Sequence, residues 1–172
     1  MFSLRVAHDS PYLRPNRLGD VLAAVQTMAV YGRYRVTCRT WADRISGDSG
    51  RADFWRKIFE EHPEFFRRSS YEDNYSLILR RAQPRRFHRG NREILTDDEY
   101  DALSEEDKKD VSRPPLSEAQ IKILTDIAIN LHARALEASR DWRWWVAPAL
   151  SFGGSFVGAM LAFVAAAKFG KG

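Results

Sequence analysis

Residues Trp144 to Ala167 read WWVAPALSFGGSFVGAMLAFVAAA, bounded by Arg143 and Lys168 and holding no charged side chain. A helix of roughly 24 residues at about 1.5 Å rise each is about 36 Å long, enough to cross a hydrocarbon core about 30 Å thick with some tilt. The stretch is therefore expected to form a single C-terminal transmembrane helix. The N-terminal region carries Arg5, His8, Asp9, Arg14, Arg17 and Asp20, so the uninterrupted apolar run of a signal peptide is missing there. Together these features predict a tail-anchored, single-pass membrane protein. The Arg-rich chain ahead of the span, against Lys168 and Lys171 behind it, places the N-terminal domain in the cytosol. Trp142, Trp144 and Trp145 sit where an interfacial aromatic belt belongs.

Within that stretch Gly154, Gly158, Ala162 and Ala166 recur every fourth residue and share one helix face. Small residues let a second helix approach closely in lipid, so another transmembrane helix, from a second copy or a different subunit, is an expected partner beside the bilayer itself. Pro148 falls early in the span, where it is tolerated. Working outward, Ser117-Glu118-Ala119-Gln120 reads as a capping box after the helix-breaking Pro114-Pro115. Ile121, Leu124, Ala128, Leu131, Ala135, Ala138, Trp142 and Trp145 then alternate in steps of three and four, a heptad seam. An amphipathic helix over 117–143 is expected to feed the span. Ile123 and Ile127 widen its stripe, which suits packing on the protein's own globular part; self-association is the equal alternative.

The remainder is long enough for about one domain. At 172 residues, 44% apolar and 29% charged, the chain is too rich in Leu, Ile, Val and aromatic residues for general disorder. The single cysteine, Cys38, excludes an internal disulfide and a zinc ribbon. Asn16 is expected to cap a helix starting near Arg17, whose Leu18, Val21, Leu22, Val25, Met28 and Ala29 mark one buried face. Thr37 or Thr40 opens a short second helix with Trp41 and Ile45 inward. A third spans about 51–61, with Ala52, Trp55, Ile58 and Phe59 on one side. Phe65-Phe66-Arg67 and Tyr75 to Leu79 read as two strands joined by a turn over Ser69 to Asn74.

Three short helices followed by a hairpin resemble the winged-helix architecture over residues 16–82, and HPEFFR (62–67) resembles its helix-to-wing junction. The resemblance is one of element order. It implies a third helix able to enter a DNA major groove through Arg51, Asp53, Arg56, Lys57 and Glu60, or a fold used for binding proteins. The expected fold class is thus mainly α. The expected domains are a winged-helix-like domain at 1–92, an acidic linker with short helices at 93–116, the connecting helix at 117–143, the transmembrane helix at 144–167 and a short tail at 168–172.

Charge is unevenly placed. Residues 67–92 hold Arg67, Arg68, Arg80, Arg81, Arg85, Arg86, Arg89 and Arg92 against only Glu72 and Asp73. This basic patch is the best candidate for a nucleic acid or an anionic lipid surface. Residues 97–110 hold Asp97, Asp98, Glu99, Asp101, Glu105, Glu106, Asp107 and Asp110 against Lys108 and Lys109. The two blocks face each other within the fold or form solvated faces. In a sharper alternative, the acidic block covers the basic one until a partner displaces it. Thr96 and Ser104 are positioned to cap short helices there.

Catalytic signatures are missing. His8, His62, His88 and His132 show no metal-ligand spacing, and neither a P-loop nor a GxGxxG is present in the soluble part. Cys38 with His62 is the one conceivable nucleophile pair, against the plainer reading of Cys38 as a small core residue. No catalytic residue, cofactor or metal is expected. The sequence predicts a membrane-anchored interaction or scaffold protein, or an accessory subunit of a membrane complex, with a protein partner for its cytosolic domain. The alternative is a membrane-tethered nucleic-acid-binding regulator.

Overall fold

The computed structural model describes residues 10–70 and 72–140. They fall into two compact units, a larger one of residues 14–131 and a smaller one of 10–13 with 132–140.

The larger unit starts with α1 (Arg17–Val30), which buries Val21, Ala24, Val25, Met28 and Ala29. Asn16 occupies the N-cap position, but its side chain makes no cap bond. Its left-handed backbone (φ 60°) is not the extended conformation that aims a capping oxygen at the first turn, which corrects the expected cap. A two-residue strand, β1 (Val36–Thr37), leads into α2 (Cys38–Ser46). Here the cap holds: the Thr40 N–H donates to the Thr37 hydroxyl. Gly47, at φ 70°, ends the helix and donates its N–H to the Asp43 carbonyl. Asp48 accepts from the Gly50 N–H at the turn before α3 (Ala52–Glu61).

After α3 come β2 (Phe66–Arg68) and β3 (Asn74–Leu77), closed by the Ser69 N–H to the Asn74 carbonyl at 2.8 Å. The three strands form an antiparallel sheet in the order β1-β3-β2. The second hairpin strand stops at Leu77. Ile78 and Leu79, expected to extend it, open a single helical turn, α4 (Ile78–Arg81).

Helices and sheet enclose one core. The Trp41 indole N–H donates to the Tyr75 carbonyl at 2.9 Å, and the Phe59 ring lies 4.9 Å from Phe66 and 5.0 Å from Tyr75. Tilted aromatic pairs at such distances add to the burial of large apolar surface.

A second small sheet follows: β4 (Phe87–His88), β5 (Glu93–Ile94) and β6 (Val111–Ser112), ordered β5-β4-β6 and antiparallel. The chain between β5 and β6 forms α5 (Asp97–Asp101) and α6 (Glu105–Lys108). Both expected caps are present, Thr96 within a full capping box with Glu99 and Ser104 on the Asp107 N–H. Residues 118–131 are helical (α7). The Ser117 hydroxyl accepts from the Gln120 N–H while the Gln120 side chain accepts from the Ser117 N–H, a reciprocal capping box. Leu124 and Ala128 of the seam are buried. Ile123 and Ile127 remain 55% and 42% exposed, so this part of the stripe does not pack on the globular domain.

In the smaller unit Pro11–Leu13 form a 3-10 turn and residues 132–140 are helical. The His132 Nδ1 meets the Tyr12 carbonyl at 2.9 Å.

The membrane reading is corrected. Among the described residues no helix is long and apolar enough to cross a membrane. Helical residues 118–140 carry Glu118, Lys122, Asp126, Arg134, Glu137 and Arg140, roughly one charge per turn. Each such residue costs about 2.5–3.5 kcal/mol at the centre of a bilayer. The expected fold, a helix continuing into a transmembrane segment, is therefore not supported, nor is the tail-anchored, single-pass membrane location with a cytosolic N-terminal domain. The span 144–167, the small-residue face of Gly154, Gly158, Ala162 and Ala166, and Trp142, Trp144 and Trp145 lie outside the described residues.

Candidate anion-binding cleft

Arg80 organises the larger unit. Counted in sequence among the phosphate-binding arginines, it is fully buried, at 0% exposure. Among the described residues its guanidinium meets no carboxylate. It donates instead to the carbonyls of Met28, Tyr31 and Gly32, at the end of α1 and just after it, and to those of Arg113 and Pro114, just after β6. Burial pushes its pKa down to about 10, so it stays charged at neutral pH. Five carbonyl dipoles replace its hydration shell, as a buried cation requires. One side chain thus ties the loop after α1 to the segment after β6. The Leu116 N–H to the Ala29 carbonyl (3.0 Å) and the Tyr34 N–H to the Ser112 hydroxyl (3.4 Å) add to the same seam. The Arg113 guanidinium also stacks over the Tyr34 ring, 5.0 Å from its centroid.

Above this seam opens a cleft of about 270 Å³, lined by Arg33, Tyr34, Arg35, Arg85, Arg89, Lys109, Val111 and Ser112. Five of these side chains are cationic and none is a carboxylate. Arg85 donates to the carbonyls of Val111 (2.8 Å) and Lys108 (2.9 Å), bonds that orient its fork without neutralising it. Arg89 donates to the Asp110 carbonyl and pairs with the Asp110 carboxylate, and Lys109 pairs with Glu106 at 2.7 Å. Among the described residues Arg33 and Arg35 meet no carboxylate within ion-pair distance. So many like charges in one hollow raise the local positive potential and favour an anion there.

The expected basic patch is split by the fold. Arg85 and Arg89 reach the cleft, and Arg80 supports it from beneath. Arg86 pairs with Asp97 at 2.8 Å and stacks on Tyr100, 4.1 Å from the ring centroid. Arg68 lies near Glu60 and Asp73 on the hairpin side. Arg67 and Arg81 line a separate shallow hollow with Ile78 and Ala82. Arg92 is exposed at the β4–β5 turn, with φ 59°. The acidic and basic blocks do meet, through Arg86–Asp97 and Arg89–Asp110. Sequence reading missed Arg33, Arg35 and Lys109. The available signal was Arg33-Tyr34-Arg35, two cations flanking an aromatic residue in the break between α1 and α2.

On the α3 face Arg56 is charge-compensated within the fold. Arg56 bonds Asp73 of the hairpin turn at 2.7 Å and also pairs with Asp53. The Tyr75 hydroxyl donates to Glu60 at 3.1 Å. Arg56 beside Asp73 holds that carboxyl below its usual range. Asp53, Glu60 and Asp73 would meet any phosphate brought to this face.

Cys38 and His62, the conceivable nucleophile pair, each meet other groups. The Cys38 thiol donates to the Ala52 carbonyl at 3.0 Å, and burial pushes its pKa up to about 12. His62 is buried, with its Nδ1 3.1 Å from Glu64. Among the described residues no group of His, Cys, Asp and Glu side chains is placed to hold a metal ion. Comparison with protein families, with curated proteins and with solved structures finds no match.

Proposed function

We propose that the protein is a non-enzymatic interaction module that holds an anionic group of a protein partner in the cleft of Arg33, Arg35, Arg85, Arg89 and Lys109. The observation that carries the reading is that five of the described residues lining the cleft are cations and none is a carboxylate. The order of α1, α2, α3 and the β2–β3 hairpin resembles a winged helix. The pairing of Arg56 with Asp53 and Asp73 favours the protein-binding use of such a fold over a groove-reading one. A scaffold or accessory-subunit role agrees with a site that binds and has no chemistry to perform.

The test is titration of the full-length protein with fluorescent acidic and phosphorylated peptides at about 50 mM salt. Saturable binding that weakens as salt rises is expected, because exposed charges are screened beyond about 10 Å at 0.1 M. No binding of any anionic peptide would refute the reading. A nucleic acid is the second reading, favoured by Arg67 and Arg81 around their own hollow. It requires steep salt-dependent binding of duplex DNA that is lost when those two residues become Ala.

A further inference from the structure

We infer that the group recognised by the cleft is a phosphoryl group on a serine or threonine side chain, set within a basic segment of the partner. This rests on the cleft being the partner-binding site and adds the chemistry of what it binds.

Three observations lead there. The first is charge. A lone carboxylate carries one negative charge and two acceptor oxygens, whereas a phosphorylated hydroxyl carries about −1.5 to −2 at neutral pH and three strong acceptors. With Arg89 and Lys109 each already beside a carboxylate, Arg33, Arg35 and Arg85 still present more positive charge than one carboxylate can balance. Guanidinium forks match phosphate oxygens in pairs. Arg85 is already oriented by the Lys108 and Val111 carbonyls, so little side-chain freedom is lost on binding. The Ser112 hydroxyl accepts from the Tyr34 N–H, which leaves its own proton to donate into the cleft.

The second is size. About 270 Å³ suits one compact tetrahedral group with its linking atoms and a few waters, each of which takes about 30 Å³ in the liquid.

The third is the rim. Glu106 stands 2.7 Å from the cleft-lining Lys109, and Asp110 pairs with Arg89. Glu105 pairs with the adjacent Lys108 at 2.9 Å. The Glu105 and Glu106 side chains are 90% and 82% exposed. A positive hollow with Glu106 and Asp110 beside its lining cations complements a phosphorylated residue flanked by Lys or Arg. The repeated phosphates of a nucleic-acid backbone would run across those same carboxylates.

The experiment uses the full-length protein and a labelled peptide with one phosphoserine between arginines. It is compared with the same peptide carrying Ser or Glu at that position, with an acid-flanked phosphopeptide, and with a DNA duplex of similar length. The Arg-flanked phosphopeptide should bind at least tenfold more tightly than each of the other four. The paired substitutions Arg33→Ala and Arg35→Ala should remove that advantage with an unchanged thermal melt, since neither side chain makes an ion pair among the described residues. Equal binding of the Glu and phosphoserine peptides, both tighter than Ser, would overturn the inference while leaving the anion-binding reading in place; equal binding of all three would remove both. Tighter binding of the acid-flanked phosphopeptide would refute the role of the rim. Tighter binding of the duplex would transfer the site to nucleic acid. Failure of every probe would remove both the inference and the reading beneath it.

Discussion

Replacing Arg80 by Met keeps a long, flexible, largely apolar side chain in the core but removes every donor. The carbonyls of Met28, Tyr31, Gly32, Arg113 and Pro114 would then lose the guanidinium they now share. A buried polar group left unsatisfied costs about 1–3 kcal/mol. Not all five pay that in full. Water can reach some of them once the seam loosens, and the substitution also relieves the burial of a charge, the penalty seen in the lowered guanidinium pKa of about 10. A net loss of about 2–4 kcal/mol is expected. At about 2–4 °C per kcal/mol for a chain of this size, the melting temperature should fall by roughly 5–15 °C. Urea titration followed by tryptophan fluorescence would read the loss directly, through Trp41 and Trp55 in the core. Arg80→Lys keeps the charge with fewer donors and should fall between the two. A Met variant within about 0.5 kcal/mol of the wild type would refute the reasoning, because the two segments would then hold together without the clamp.

Three further outcomes are expected. The Cys38 thiol, buried with its pKa pushed up to about 12, should resist a thiol reagent at pH 8 in the native protein and react at once in denaturant; rapid native labelling would contradict its placement. Thr37→Ala removes the cap of α2 and should cost about 1 kcal/mol in urea titration; an unchanged midpoint would show that the first turn does not depend on it. Asp73→Asn should destabilise by no more than about 1 kcal/mol, since the pair with Arg56 is about one-third exposed. Arg56 lowers the folded pKa of Asp73 below its ordinary 3.8, so the contribution is complete above that value and lost as pH falls through the folded pKa. The difference between wild type and variant should therefore be constant near neutrality and vanish in strong acid.

Periodic segments were legible and short ones were not. Val21, Val25, Met28 and Ala29 are legible as a buried face because they recur over about two helical turns, and Trp55, Ile58 and Phe59 because they fall at i, i+3, i+4. The caps at Thr37, Thr96, Ser104 and Ser117 were legible because a hydroxyl at the start of a helical run has few other uses. Strands β1, β4, β5 and β6, at two residues each, carry no alternation to detect. Arg80 was misplaced because composition averages over a window, whereas burial acts on one side chain. The cleft itself is a long-range product. Arg33 and Arg35 come together with Arg85, Arg89 and Lys109 only through the Arg80 seam, and no local pattern encodes that meeting. The membrane expectation failed on a different count. It rested on 144–167, while the described helices leading toward it carry charges at roughly every turn.

The most direct test of where this protein binds is a backbone amide NMR titration of the full-length chain with the Arg-flanked phosphoserine peptide. Shift changes concentrated at Arg33–Arg35 and Lys109–Ser112 are the predicted result. Changes centred on Arg56 and Arg68 at the α3–hairpin face, or none on the larger unit, would contradict the account.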